Sequence, residues 1–121
     1  MSVADTAREF FGAIERGDLE ALNRLYADDV KIWHNFSGKY MEKKTNVAIL
    51  GKLTTAGNVK YVVQESHVIG DRLLQRHVLE IAMKGGNRVG IPAAIFLTIK
   101  NGHITELDEY VDSAHVVPGL I

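Results

Sequence analysis

The sequence of 121 residues contains no cysteine, no block of like charges and no long hydrophobic run. The absence of cysteine excludes disulfide bonds, thiolate metal sites and a cysteine nucleophile, and it suits a reducing compartment. The net charge of −1, spread without clusters, removes the usual electrostatic basis for nucleic-acid binding. We therefore expect neutral or weakly charged partners, with no nucleic acid among them.

The longest apolar runs, such as residues 91–97, are far shorter than the roughly 20 residues of a membrane-spanning helix. No cationic, apolar signal segment follows Met1, so a cytoplasmic protein without a membrane partner is expected. A hydrophobic content of 46% supports one compact core, and 121 residues are too few for two ordinary domains. Residues 1–121 are therefore expected to form a single domain.

The first half of the chain has helical patterns. Apolar residues at three- and four-residue spacing predict a first helix that begins at Ser2 or Asp5 and ends at Gly17. Asp18 is a plausible N-cap for a second helix, with a predicted buried stripe of Leu19, Leu22, Leu25 and Tyr26. A third helix is predicted for residues 42–55.

Strand patterns occupy the remainder. A short strand containing Val30, Ile32 and His34 precedes the third helix, and longer segments at residues 59–69, 73–84, 89–100 and 103–112 follow it. Turn signals separate these segments. Helices followed by mostly antiparallel strands predict an α+β fold in which the helices cover one face of a curved sheet.

The last two strands form the clearest hairpin, because Asn101 and Gly102 supply the positive φ angles of a two-residue type I′ turn. A two-residue turn places Lys100 opposite His103, and this pair fixes the register of the two strands. Side chains then alternate between the two faces of the sheet.

This register predicts Ala94 opposite Glu109 and Phe96 opposite Leu107 on one apolar face. Burial of an ionised acid without a partner is costly. Glu109 is therefore the first candidate for a functional residue.

The other face of the hairpin is predicted to carry Ile95, Leu97, Ile99 and Ile104. Soluble monomers rarely leave such an apolar patch bare, so we expect a homodimer through this outer face. The alternative is that the tail covers the patch within one chain, through Val116, Val117, Leu120 and Ile121.

His77 joins Glu109 if Gly85-Gly86 is a two-residue turn, because His77 then faces Ala94. Strands two positions apart in a sheet are separated by about 9.6 Å, so the two side chains, leaning over the small alanine, could share a water or a small ligand. A three-residue loop would instead turn Arg76 inward. The alternation of His77 with Leu79, Ile81 and Met83 favours the first register.

His34 shares a face with Ile32, and its neighbours Trp33 and Phe36 are either pocket walls or plain core. A lone histidine on an apolar face is more often a hydrogen-bonded structural residue than a catalyst. The remaining histidines match no local zinc motif, so no metal is predicted; they are His67, His103 and His115.

The segments GDLEALNRLYADDV and VKIWHNF, a third helix and a hairpin ending in DEYVD resemble the nuclear-transport-factor-2-like superfamily over nearly the whole chain. That superfamily includes SnoaL-like polyketide cyclases, ketosteroid isomerase, scytalone dehydratase and limonene epoxide hydrolase. The resemblance implies a cystatin-like roll, in which a cone of about six mixed, mostly antiparallel strands and three helices encloses a pocket.

The epoxide hydrolase motif RDYFD resembles DEYVD, which carries its acidic position onto Glu109, and the motif's first-strand asparagine corresponds to His34. The Arg-X-Asp pattern of that family is missing from LLQRHVLEI. For the acids of ketosteroid isomerase, the region after the second helix offers only Asp28 and Asp29. Scytalone dehydratase is similar in combining pocket histidines with a carboxylate.

The resulting hypothesis is an enzyme without a cofactor that performs acid-base catalysis on a small, neutral, largely apolar molecule. It would be an isomerase, cyclase, dehydratase or hydrolase. Glu109 would act as general base or orient His77, and His34 would donate to a developing oxyanion. The predicted substrate-binding residues are Trp33, Phe36, Ala94, Phe96 and Leu107. The alternative is a non-catalytic ligand-binding or dimerisation module.

Overall fold

The computed structural model describes residues 1–112 and residue 114. The helices are α1 (Val3–Arg16), α2 (Leu19–Leu25) and α3 (Lys43–Ala56). The strands are β1 (Tyr26–His34), β2 (Tyr40–Met41), β3 (Gly57–Ile69), β4 (Arg72–Met83), β5 (Arg88–Lys100) and β6 (His103–Val111). No helix in the described part of the chain is long and apolar enough to cross a membrane.

All six strands belong to one sheet in the order β2-β1-β6-β5-β4-β3. Strands β1 and β6 are parallel, and the other neighbouring strands pair antiparallel. The helices lie on the concave face of this curved sheet, which confirms the predicted α+β cone. The parallel pair consists of the first and the last strand in sequence, β1 and β6. It therefore brings residues that are distant in sequence side by side.

The ends of the first helix follow from local chemistry. The Ser2 side chain accepts from the backbone N–H of Asp5 at 3.1 Å, and the Asp5 carboxylate accepts from the Ser2 N–H at 3.4 Å. This capping box satisfies donors that a helix start leaves unpaired. Gly17 ends α1 in the left-handed conformation with φ 69°, which a residue without Cβ adopts at no steric cost. Asp18 caps α2, as predicted.

The predicted stripe of α2 is correct for Leu22 and Leu25, which are buried, and wrong for Leu19, which is 36% exposed. Tyr26 is buried but is the first residue of β1 rather than part of the helix. The backbone becomes extended there because Tyr26 pairs with Ile104 of β6. Sheet pairing therefore limits α2 to about two turns.

The β5–β6 turn has the predicted geometry, with φ 52° at Asn101 and φ 75° at Gly102. Beyond it the ladder is irregular: Ile99 faces Ile104, but Thr98 faces Glu106. Thr105 is thus an extra residue, a β-bulge that moves every later pair by one position.

The β4–β5 register also differs by one residue. The N–H of Met83 donates to the Asn87 carbonyl at 2.8 Å, so the loop has three residues and His77 faces Ala93 instead of Ala94. The expectation that such a loop turns Arg76 inward is wrong. His77 is 1% exposed, whereas the exposed Arg76 side chain pairs with Glu65.

Both registers of β5, against β4 and against β6, thus differ from the prediction by one residue. Because side chains alternate along a strand, the side chains of β5 predicted for one face lie on the other. The residues predicted to form an exposed patch are 4% exposed or less and belong to the core: Ile95, Leu97, Ile99 and Ile104. The predicted patch is therefore wrong, and these four residues give no reason to expect a dimer. The tail expected to cover them, residues 113–121, lies outside the described residues except for Ala114. His115 belongs to the part that is not described.

Gly57 lies where β3 begins, tightly against the backbone of β4. A Cβ added at this position would collide with the carbonyl oxygen of Ala82. We expect Gly57→Ala to lower the free energy of unfolding by about 1–3 kcal/mol, because backbone cannot move aside as a side-chain tip can. Urea unfolding measures the change. Gly85→Ala is the control, since a methyl group there would have nothing within 4 Å; equal effects would contradict the close approach.

Candidate functional site

Glu109 and His34 face each other on the parallel strands β6 and β1. His34 Nε2 lies 3.1 Å from Glu109 Oε1, and both side chains are largely buried. At this distance the imidazole and the carboxyl group interact directly through their charges and dipoles. The structure therefore brings together two of the three predicted catalytic residues in direct contact.

Asn35 holds this pair in register just beyond the end of β1. Its backbone N–H donates to the Glu109 carbonyl at 3.1 Å. Its side-chain Oδ1 accepts from the N–H of Val111 at 2.8 Å, and its Nδ2 donates to the Val111 carbonyl at 3.2 Å. The side chain thus acts as an additional backbone unit and fixes β6 beside His34.

His77 approaches the other carboxylate oxygen from β4. Its Nε2 lies 3.9 Å from Glu109 Oε2, beyond hydrogen-bond distance. Gln75 Nε2 donates to His77 Nδ1 at 3.0 Å, so Nδ1 is the acceptor and the ring hydrogen resides on Nε2, facing Glu109. The ring is packed edge-on between Tyr61, at 4.8 Å, and Phe11, at 5.8 Å.

Burial dominates the electrostatics of the groups around Glu109. It lowers the pKa of His77, because a charged imidazolium loses solvation there, while the nearby Glu109 charge acts in the opposite direction. Burial also raises the pKa of Tyr26 and of Tyr61, and the Glu109 charge raises both further. His77 is thus neutral at neutral pH, and both phenols keep their protons beside the carboxylate.

His34 and Glu109 line a narrow cavity of about 60 Å³ beneath α3. Asn46 and Tyr61 are its other polar wall residues, and apolar side chains complete it: Phe36, Met41, Ile49, Leu50, Leu53, Leu79, Ile91, Ala93 and Val111. Ligand sites typically combine apolar walls with a few placed polar groups. In the described residues, no group of three or more acidic or histidine side chains is arranged to hold a metal.

The predicted substrate-binding residues divide between the two faces of the sheet. Phe36 lines the cavity and stacks 5.1 Å from the His34 ring. Leu107 lies on the inner face but is part of the core rather than the cavity wall. Trp33, Ala94 and Phe96 were wrongly predicted to face the pocket.

Trp33 and Phe96 lie on the outer face, where both rings contact Tyr110. Trp33 alternates with the inward His34, so it points away from the cavity. Ala94 faces Tyr110 because the bulge exchanged the faces of β5. Ala93 takes the place in the cavity wall that had been expected for Ala94.

Several polar residues of the site were missed from the sequence, although a signal existed for two of them. Asn46 has the i, i+4, i+7 spacing with Leu50 and Leu53 that marks one helix face. Gln75 lies two positions before His77, so it shares its face of β4. Nothing local marked Asn35, because its partners lie on β6.

His77 should make stability depend on pH. Its folded pKa is lower than the usual value of 6.5, so the unfolded chain binds more protons between these two pKa values. The stability contributed by neutral, buried His77 is fully present above about pH 6.5 and is lost as pH falls toward the folded pKa. We expect urea unfolding to show that the stability of wild type declines as the pH is lowered below about 6.5.

The variant His77→Gln cannot titrate at this position, so its stability should fall less steeply over the same range. The control His103→Gln removes an exposed histidine at the β5–β6 turn and should keep the wild-type slope. An unchanged slope in His77→Gln would assign the pH dependence to other groups.

The fold of this chain is similar to that of several solved structures. IdmH of Streptomyces antibioticus, a candidate polyketide cyclase, has 19% identity and a TM-score of 0.82, covering 95% of each chain. A limonene-epoxide-hydrolase-like enzyme of M. tuberculosis has 16% identity and a TM-score of 0.78, covering 98% of this chain and 88% of that one. No curated protein matches the chain closely enough in sequence to identify a relative.

A candidate SnoaL-like polyketide cyclase from Shewanella denitrificans has 13% identity and a TM-score of 0.81, covering 93% of this chain and 92% of that one. At such identities these likenesses show the fold alone. The family model for the SnoaL-like domain, however, matches residues 7–107, which is most of the chain. The chain therefore belongs to the SnoaL-like domain family.

Proposed function

We propose that this protein is an enzyme that moves a proton on a small, neutral, largely apolar substrate, with Glu109 as general base and no cofactor. The observation that carries the proposal is the Glu109 carboxylate, exposed to an apolar cavity and held next to two imidazoles. A carboxylate in such a position can accept a proton from a bound molecule, and its surroundings exclude most water.

The two oxygens of Glu109 have different surroundings. Oε1 lies 3.1 Å from His34 Nε2, whereas Oε2 lies 3.9 Å from His77 Nε2 and is the freer proton acceptor. A substrate C–H bond would break, its proton would pass to Oε2, and the electron pair would remain on the substrate. Return of the proton to another substrate atom completes an isomerisation or assists a ring closure.

We propose a different role for His34 from the one expected from the sequence. Its Nε2 lies 3.1 Å from Glu109 Oε1. We propose that His34 orients the base and that His77, held by Gln75, adds a second N–H dipole on the same carboxylate. Both histidines then support Glu109.

Among the reactions that the sequence suggests, this site supports isomerisation or cyclisation better than epoxide hydrolysis. Glu109 is the one acidic residue among the described residues that line the cavity. No Arg-X-Asp pattern occurs on β4, where the epoxide hydrolases carry theirs. The candidate polyketide cyclases among the structural neighbours fit the same preference.

A thermal-shift screen of small cyclic ketones, lactones and epoxides tests the proposal. A ligand present at 100 times its dissociation constant stabilises the folded state by about 2.7 kcal/mol. Leu50→Trp, which fills the cavity, should abolish the shift, and Val62→Trp on the outer face should not. A shift that persists in Leu50→Trp would locate the ligand elsewhere.

The second candidate is a non-catalytic module that binds a small ligand. It is favoured by the volume of about 60 Å³, well below the roughly 300–1,000 Å³ of typical ligand pockets, because so small a cavity leaves little room for a substrate to rearrange. Recovering the bound compound separates the two candidates. An unchanged compound after prolonged incubation supports binding alone, whereas isomerised or cyclised product supports the enzyme.

We also propose a homodimer through the outer sheet face, formed by a different patch from the one expected. Trp33, Phe96 and the half-exposed Tyr110 surround Arg72 and Asp108 there. A two-fold interface pairs a patch with itself, and this patch carries both charge signs, so it is self-complementary. Light scattering at micromolar concentration should give a dimer for wild type and a monomer for Tyr110→Lys; a monomeric wild type would contradict the proposal. The cytoplasmic location stays a prediction.

A further inference from the structure

We propose that Asn46 is a substrate-binding residue, whose side-chain amide donates a hydrogen bond to an acceptor oxygen of the molecule in the cavity. The inference rests on the proposed function, because it concerns the same cavity and names the chemical group that the substrate presents opposite Glu109. Asn46 comes from α3, an element that contributes none of the residues assigned to the proton transfer.

Asn46 is 4% exposed and lines the cavity together with Leu50 and Leu53, which follow it on the same helix face. A buried amide normally satisfies both its carbonyl and its N–H groups. Here Oδ1 accepts from the Tyr26 hydroxyl at 2.6 Å, but no partner for Nδ2 occurs among residues 1–112 and 114. A polar group on an apolar wall is thus left with unused donors.

Tyr26 fixes which end of the amide is available. Its side chain is 2% exposed and packs 5.4 Å from the Phe10 ring, so the hydroxyl has little freedom. Burial raises the pKa of Tyr26, which keeps the hydroxyl protonated as a donor. Because the carbonyl of Asn46 already accepts from this hydroxyl, the groups of the amide that remain unpaired and can bind a ligand are the N–H groups of Nδ2.

A second contact ties the same two elements together. Lys43, one turn before Asn46 on α3, donates through Nζ to the backbone carbonyl of Tyr26 at 3.1 Å. Tyr26 is therefore bound to α3 twice, through its hydroxyl to Asn46 and through its backbone carbonyl to Lys43. These two contacts keep the amide of Asn46 in place without a ligand. A donor positioned before binding costs less conformational entropy than one that must be ordered by the ligand.

The cavity then contains a proton acceptor and a hydrogen-bond donor that can act on the same substrate. Glu109 accepts a proton, and Asn46 donates to an oxygen that gains negative charge as the proton leaves. A carbonyl compound with a hydrogen on the adjacent carbon meets both requirements, because the electron pair of the broken C–H bond moves onto the carbonyl oxygen. An anionic ligand would be repelled by Glu109, so the carbonyl compound should be neutral.

Paired probes test the donor without knowledge of the natural substrate. Cyclopentanone and methylenecyclopentane have nearly the same shape, but only the ketone has an acceptor oxygen. We expect wild type to bind the ketone about 5- to 150-fold more tightly, as measured by ligand-observed NMR, because the hydrocarbon leaves the amide unpaired. The infrared C=O stretch of bound cyclopentanone should shift to lower frequency.

Asn46→Leu, which keeps the volume but removes the donor, should bind both probes equally and return the C=O stretch toward its value in an apolar solvent. Tyr26→Phe leaves the amide in place without its fixed orientation, so it should lose part of the preference and serves if Asn46→Leu folds poorly. Glu106→Gln, at an exposed position on the same strand as Glu109, should keep the preference.

The outcomes separate this inference from the proposed function. Equal affinity for the two probes in wild type, or an undiminished preference in Asn46→Leu, would overturn the role of Asn46 and leave the general base untouched. A clear ketone preference with no proton exchange at the adjacent carbon would support Asn46 and contradict the enzyme. Failure of both probes to bind wild type would overturn this inference.

Discussion

Turnover of any substrate found for this protein is expected to fall about 10²- to 10⁴-fold in Glu109→Gln, the range that a positioned acid-base group contributes. The amide preserves the shape of the side chain, so it can still pack against His34 Nε2, which lies 3.1 Å from Oε1 in wild type. What it loses is the ability to take up a proton. We therefore expect the loss to appear in kcat, with stability little changed.

The measurement is kcat and KM for both proteins, together with urea unfolding to confirm the fold. Glu106→Gln is a matched control, because it makes the same charge change at an exposed position on the same strand. It should retain wild-type kinetics. Glu109→Gln with activity close to wild type, on a substrate shown to bind in the cavity, would remove Glu109 from the mechanism.

The second large effect is expected at Phe10, on the buried side of α1. Phe10 is 1% exposed and contacts the rings of Phe11 at 5.3 Å and Tyr26 at 5.4 Å. Phe10→Ala removes this contact surface and leaves a cavity that a packed core fills only in part. The expected loss in unfolding free energy is about 3–5 kcal/mol, a large fraction of the 5–15 kcal/mol typical of a folded domain.

Urea unfolding gives the comparison, with Phe36→Ala as the aromatic control. Phe36 is 40% exposed, so its removal leaves less of a cavity and should cost clearly less. Because Tyr26 packs on Phe10, the variant should also weaken the ketone preference attributed to Asn46. Similar losses for Phe10→Ala and Phe36→Ala would mean that the core does not depend on this aromatic contact.

Local sequence determined the parts of this structure whose causes lie within a few residues of one another. Ser2 and Asp5 form a capping box across one turn of α1, and Asn101 with Gly102 adopts the positive φ angles that its turn requires. Alternation likewise placed His34 and Glu109 on the inner face of their strands. In each case the energy that selects the conformation comes from atoms already adjacent in the chain.

The strand registers were decided by tertiary packing. Thr105 has no feature that marks it as a bulge, yet the bulge brings Ile95 and Leu97 into the core and turns Phe96 outward. Both faces of β5 are apolar in sequence, so alternation alone could not choose between them. The choice rests on how well each face fits the helices and neighbouring strands, which is a property of the assembled core.

The site depends on both levels. The sequence identified a carboxylate and two histidines suited to proton transfer, because side-chain type and alternation are local properties. Only the parallel pairing of β1 with β6, secured by Asn35, brought His34 to Glu109, and only the docking of α3 placed Asn46 above them. Contacts between residues so distant in sequence are selected by the free energy of the whole fold, so no local pattern could have revealed them.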